Sequence, residues 1–264
     1  MIKLIAMDLD WTLVDHTPGA IKIGKEIISA LNSFAERGNH AGIVSGRPLW
    51  GFQDTFMQSG VAWGERFPSF VVSREAYIYE VKNGEFEGLQ AYNQFMRGEI
   101  MRFNRNFTLY IDDALKMYEE NKISVYDFIV YGDFATEITV DHGQADEAMA
   151  LMKKFIKRKG LLDAAVHRNC NAVTVYSKCA GKGKALLAAA RHFGLEPAEV
   201  LAIGDNYNDE SMIDGKLGFV GGCVGNADEK LKSIVRAGGG FVGTGTAYKG
   251  ILDIMRQAQE TGLL

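Results

Sequence analysis

Leu4-Ile5-Ala6-Met7-Asp8-Leu9-Asp10-Trp11-Thr12 is an apolar run that ends in two carboxylates one residue apart, followed by a hydroxyl. With Ile2 the apolar part reads as a strand over about residues 2–8. It is short and continuously apolar rather than alternating, as strands inside a parallel sheet are. A buried charge is expensive unless it is paired, hydrogen-bonded or bound to a metal. Carboxylates at the end of such a strand therefore call for partners, and the rest of the chain supplies candidates.

Outward from this strand, strands and helices alternate. A helix over about 22–36 carries Ile27, Leu31 and Phe34 at helical spacing, with Gly38 placed to close it. A strand at Ala41-Gly42-Ile43-Val44, a helix opened by Pro48 and a strand at Phe70-Val71-Val72 follow. From Lys182 the alternation resumes with a helix bearing Leu186, Ala190 and Phe193 and stopping at Gly194, then a strand at Val200-Leu201-Ala202-Ile203. A short helix after Asn208, a strand at Leu217-Gly218-Phe219-Val220 and a last helix carrying Ile251, Ile254, Met255 and Ala258 complete the pattern. Repeated units of this kind predict an α/β fold with a doubly wound parallel sheet. Gly221-Gly222 and Gly238-Gly239-Gly240 read as loops.

The middle of the chain breaks the alternation. Asn83-Gly84 between Tyr77-Ile78-Tyr79-Glu80-Val81 and Glu85-Phe86 is a hairpin signal. Helices around 91–104 and 111–121, strands near 126–131 and 137–140, a helix from about Gln144, and strands near 164–168 and 173–176 come next. This order predicts an α+β domain over 87–173, inserted into a core formed by 1–86 and 174–264.

Composition narrows the function classes. The 264 residues allow one large or two ordinary domains, and 47% hydrophobic with 23% charged content is that of a soluble globular chain. A formal net charge of -4 argues against a nucleic-acid surface, and the basic cluster from Lys153 to Lys159 reads as the solvated end of a helix. Cys170, Cys179 and Cys223 form no CxxC, and His16, His40, His142, His167 and His192 fall at no zinc-site spacing. No apolar run is long enough to span a membrane and no signal-peptide pattern opens the chain. The expectation is a cytoplasmic protein with neither nucleic acid nor membrane as partner.

In open parallel sheets ligands bind at the carboxyl ends of the strands. Candidate groups fall there repeatedly: Asp8, Asp10 and Thr12; Ser45-Gly46-Arg47; Lys182, just before its helix; and Gly204-Asp205-Asn206-Tyr207-Asn208-Asp209. Each alone has an ordinary explanation as a turn, a helix cap or a solvated lysine. Their placement in order along one edge of one sheet has no such explanation.

Taken together, these stretches resemble the haloacid dehalogenase superfamily, and within it the Cof-like phosphatases. Asp8-Leu9-Asp10-Trp11-Thr12 matches the first motif (DxDxT), Val44-Ser45-Gly46-Arg47 the second, Lys182-Gly183-Lys184-Ala185-Leu186 the third and Gly204 to Asp209 the fourth (GDxxND). Val224-Gly225-Asn226-Ala227 resembles a further Gly-Asn-Ala stretch. The resemblance implies a Rossmann-like core, with a type-II cap inserted between the second and third motifs that closes over the substrate. It implies a phosphatase acting on a small phosphorylated metabolite, a sugar phosphate or similar, through an aspartyl-phosphate. Asp8 would be the nucleophile and Asp10 the acid and then base, which calls for surroundings that keep Asp10 protonated at the first step.

A carboxylate near a phosphate dianion is repelled by about 4 kcal/mol per charge pair at ~4 Å and an effective dielectric of ~20. Mg²⁺ suits that need. The resemblance assigns it to the side chains of Asp8 and Asp205 and the backbone carbonyl of Asp10, with Asp209 acting directly or through water. Lys182, Ser45, the Gly46 amide and Asn208 would hold the phosphoryl oxygens. Thr12 is expected to fix its loop. Arg47 either binds substrate or pairs with an acid. Trp11 stands where the family usually has a small residue, and its indole is expected to pack beneath the cap rather than touch substrate. Ser73-Arg74-Glu75-Ala76 departs from the family's usual Asn-Gly-Ala. A phosphomutase of the same superfamily, a receiver-type module and a non-catalytic phospho-ligand protein are the rival readings. A dinucleotide-binding domain is excluded because no GxGxxG follows the first strand.

Overall fold

The computed structural model describes residues 1–17, 21–64 and 66–264. In chain order its elements are β1 (Leu4–Met7), α1 (Lys25–Glu36), β2 (His40–Val44), α2 (Leu49–Gln58), β3 (Phe70–Ser73), β4 (Tyr77–Lys82) and β5 (Glu85–Gly88). Then come α3 (Gln90–Thr108), α4 (Ile111–Glu120), β6 (Val125–Val130), β7 (Ala135–Val140), α5 (Ala145–Arg158), β8 (Ala164–Asn169) and β9 (Ala172–Ser177). The chain ends with α6 (Lys182–His192), β10 (Val200–Gly204), α7 (Glu210–Ile213), β11 (Val220–Cys223), α8 (Glu229–Ala237), β12 (Phe241–Val242) and α9 (Tyr248–Glu260). It divides into two compact units, residues 1–90 with 181–264, and residues 91–180.

In the first unit, eight strands among the described residues form one sheet in the order β12-β11-β10-β1-β2-β3-β4-β5. From β12 to β3 all pairings are parallel; β4 and β5 extend the sheet as an antiparallel hairpin. β1 is central and fully buried, which is why its sequence is apolar on both faces. Ile27, Leu31 and Phe34 point α1 into the core beside Phe52 and Phe56 of α2 and Ile251 and Ile254 of α9. At the hairpin turn Asn83 and Gly84 both take positive φ, 53° and 81°, the backbone that matches the twist of paired strands.

The second unit is a four-stranded antiparallel sheet, β6-β7-β9-β8. Ile138, Val173 and Val175 pack there with Phe107, Tyr118 and Phe155 of α3, α4 and α5. Its limits differ from those read in the sequence. A cut at 173/174 would split β9, whose pairing with β8 runs on to Ser177, and a cut at 86/87 would split β5.

Another difference concerns the glycines before Cys223. The sheet strand is Val220–Cys223, not Leu217–Val220, so Gly221 and Gly222 belong to a strand rather than a loop. A Cβ on Gly221 would overlap the Ile213 carbonyl oxygen at the end of α7; the strand needs glycine to let that backbone approach. Gly221→Ala is accordingly expected to destabilise the fold by about 1–3 kcal/mol, read as a lower urea midpoint with an unchanged slope. Among the described residues no helix is long and apolar enough to cross a membrane.

Candidate active site

Register brings the candidate residues to one rim. Met7 of β1 pairs with both Ile43 of β2 and Ile203 of β10. Asp8 thus leaves the sheet level with Val44 on one flank and Gly204 on the other, the residues just before Ser45 and Asp205. The sheet grows from β1 toward β2 and β3 on one side and toward β10 and β11 on the other, so this rim is the switch point where open α/β sheets bind ligands.

Lys182 is the hub. It opens α6 after Gly181, whose φ of 117° favours glycine. Its ammonium is buried and sits 2.8 Å from Asp8 Oδ1 and 2.6 Å from Asp209 Oδ1. Burial alone would push an ammonium toward neutrality, but Asp209, Asp8 and Glu75 outweigh it and hold the Lys182 pKa above the ordinary lysine value. The opposite balance governs Asp8. Burial holds its carboxyl well above the usual carboxylate range; Lys182 opposes the shift, while Asp209 and Asp205 add to it.

Asp205 completes the acidic group. Its Oδ1 accepts from Thr12 Oγ1 at 2.6 Å, a bond that ties the loop after β1 to the end of β10. Asp209 Oδ2 accepts from the amides of Asp205 and Asn206 at 2.9 and 3.0 Å, which fixes the turn that presents Asp205. Asp8, Asp205 and Asp209 each offer a carboxylate oxygen within 4.8 Å of the others. Such an all-oxygen, negatively charged set suits a hard divalent cation. Burial first, then Asp209, pushes the Asp205 carboxyl up to about 7, against the pull of Thr12 and Lys182. Below that pH it carries a proton that a cation must displace. Affinity for a divalent cation, measured by calorimetry, is therefore expected to weaken as the pH falls through about 7, with proton release on binding that grows toward acid pH.

Asp10 stands apart from this group. Its two oxygens accept from Arg47 Nε at 2.8 Å and Arg47 Nη2 at 2.6 Å, a bidentate fork. His16 Nε2 lies 2.7 Å from the same Oδ1. The Asp10 carboxylate is thus taken up by a guanidinium and an imidazole. Of the two readings of Arg47, the structure shows the ion pair with an acid, anchored further by Arg47 Nη1 donating to Thr55 Oγ1.

Trp11 is 45% exposed and tilted against His16, the ring centroids 5.3 Å apart. Its φ of 61° is the left-handed region, which costs a non-glycine residue about 1–2 kcal/mol. Asn226 Nδ2 donates to the Trp11 carbonyl at 2.8 Å, and Asn226 Oδ1 accepts from the Ala247 amide at 2.8 Å. The Gly-Asn-Ala stretch thus holds the first loop in place.

The remaining predicted residues lie on the flank of β2. Ser45 is buried and its Oγ accepts from the Arg47 amide at 3.2 Å, which leaves its own hydroxyl proton to donate. The Gly46 amide donates to no acceptor among the described residues. Asn208 Nδ2 donates to Glu75 Oε1 at 3.1 Å. Sequence reasoning missed Glu75 and His16. Glu75 is buried, accepts through its carbonyl from the Gly181 amide, and donates its own amide to the Ser45 carbonyl. Arg74 and Glu75 both have positive φ, 54° and 53°, at the place where Asn-Gly would be the familiar signal for that backbone.

Comparison with known proteins places this geometry. A sequence profile of the haloacid dehalogenase-like hydrolases matches residues 5–254, and the chain belongs to that family. It is 26% identical over 263 residues to a phosphoglycolate phosphatase of Sulfolobus acidocaldarius, covering 97% of this chain and 96% of that one. It is 25% identical over 235 residues to the putative phosphatase YxeH of Bacillus subtilis, covering 81% and 84%. The crystal structure of the sucrose-phosphatase from Synechocystis sp. PCC6803, in complex with sucrose and phosphate, superposes with a TM-score of 0.72 over 98% of this chain and 99% of that one, at 17% identity. The α/β fold expected from the sequence is the fold of this family.

Proposed function

We propose that this hydrolase is a Mg²⁺-dependent phosphatase that releases phosphate from a small phosphomonoester through an aspartyl-phosphate on Asp8. The observation that carries the reading is the Lys182 ion pair: a buried Asp8 at the end of β1 is held 2.8 Å from an ammonium, next to Asp205 and Asp209. A carboxylate kept buried at such cost at a strand end is a candidate nucleophile. The relatives' names support the class, since both describe phosphatases rather than mutases.

Asp8 would attack phosphorus as the ester P–O bond breaks, and Asp10 would give a proton to the departing oxygen. Asp10 would then take a proton from the water that hydrolyses the acyl phosphate and restores Asp8. Both Asp10 oxygens are occupied by Arg47, so the fork has to loosen for Asp10 to reach the departing oxygen. Ser45, the Gly46 amide, Asn208 and Lys182 would donate to the phosphoryl oxygens, where charge builds up in the transition state. Asp8 and Asp205 would hold Mg²⁺ by side chain and Asp10 by its carbonyl. Asp209, both of whose oxygens already accept hydrogen bonds, would act through water. Bound there, the ion supplies the positive charge that lets an anionic nucleophile meet an anionic substrate.

The test is a panel of phosphomonoesters assayed for free phosphate. Release in Mg²⁺, loss in EDTA and recovery on adding Mg²⁺ back is the expected pattern. Release that ignores EDTA, or none from any ester, would contradict the proposal.

A further inference from the structure

Trp11 is expensive where it stands. Its backbone is held in a region that L side chains avoid, and an indole that is 45% exposed recovers little of that cost by burial. Strain of this kind persists only where the surroundings enforce it, and it gathers at functional sites. Asn226 is the enforcer, pinning the Trp11 carbonyl. With its carbonyl held and Asp10 forked by Arg47, the side chain rises from a loop that is tied down. It stands next to His16, whose Nε2 is 2.7 Å from Asp10. A loop that only had to turn would do so with glycine at no strain.

We infer that Trp11 is a specificity-determining residue whose indole face receives the leaving group of the ester and favours one built on a flat ring. This rests on the phosphatase reading, which makes Asp10 the group that meets the leaving oxygen and so puts the leaving group beside Trp11. A sugar ring, through its C–H face, and an aryl ring, through its π face, both match an indole. An acyclic leaving group offers little to stack.

The experiment compares kcat/KM for phosphate release from glucose 6-phosphate, p-nitrophenyl phosphate and glycerol 3-phosphate by the wild type, Trp11→Gly and Trp11→Phe, with thermal midpoints alongside. Trp11→Gly is expected to raise the midpoint, because the strain is gone. It should lower the preference for ring-bearing over acyclic ester by about tenfold, mainly through KM, while Trp11→Phe keeps most of that preference. A loss confined to glucose 6-phosphate identifies the ring as a sugar, and one confined to p-nitrophenyl phosphate identifies it as an aryl group. Equal change on all three esters overturns the inference while leaving the phosphatase reading intact, as does a lower midpoint with uniform loss, which marks Trp11 as packing. Undiminished release by an Asp8→Asn control would remove the phosphatase reading and this inference with it.

Discussion

Asp8→Asn is expected to lower kcat for phosphate release by at least about 10³-fold, roughly 4 kcal/mol of barrier, and at the same time to raise the thermal midpoint of the metal-free protein. The two effects share one cause. Asp8 is buried, with Asp205 and Asp209 close by, and its carboxyl is held well above the usual range. A raised carboxyl pKa means that the ionised form is the costly one. The metal-free fold is therefore favoured at low pH and loses stability as the pH climbs from the unfolded value through the folded one. Asparagine keeps the shape, removes the ionisation and removes the proposed nucleophile. Added Mg²⁺ should narrow the stability gap, because it stabilises the wild type more than the variant. A residue retained only for packing would lose stability on this change and leave kcat alone.

Lys182→Met is expected to act in the opposite direction on stability. It leaves Asp8 and Asp209 buried together without the ammonium that now touches both. Removing one partner of a buried ion pair typically costs about 3–5 kcal/mol, roughly 10 °C in the thermal midpoint for a chain of this size. Activity should fall with it, since the same ammonium faces the phosphoryl oxygens in the proposed reaction. Lys182→Arg is not a rescue: a planar guanidinium is larger and asks for a fork of acceptors, whereas this pocket closes round a point charge. Unfolding curves with and without Mg²⁺ check the prediction, and the expected signature is a deficit that the cation partly repairs. A variant as stable as the wild type in EDTA would show that Lys182 does not hold the cluster together.

The parallel core was legible because burial on both faces leaves a strand such as Leu4–Met7 no choice but to be apolar, and because Ile27, Leu31 and Phe34 mark one face of a helix. What escaped was written in weaker chemistry. β11 is Val-Gly-Gly-Cys, a strand whose glycines are demanded by the approach of α7 and so read as a loop. α8 is mostly polar, with Leu231, Lys232 and Val235 as its buried residues, and β12 has two residues. The expected boundary of the inserted unit falls inside β9, because nothing in Val175-Tyr176-Ser177 marks where that unit ends.

In the site, residues at strand ends could be found because topology delivers them to one rim. The partners that arrive by irregular loops could not. His16 follows a turn with no periodicity, and Glu75 occupies a positive-φ position that the sequence does not announce. Arg47 was legible as a charge near the site, but its choice of Asp10 depends on α2, where Thr55 steadies the other arm of the guanidinium.

The central claim is that the phosphoryl group passes through the carboxylate of Asp8. Rapid acid quenching during turnover, followed by borohydride reduction and peptide mass spectrometry, measures this directly, because reduction of an acyl phosphate on aspartate leaves homoserine. The account predicts homoserine at position 8, appearing only with substrate and Mg²⁺. Turnover that leaves residue 8 as aspartate while another side chain is reduced, or while none is, would contradict it.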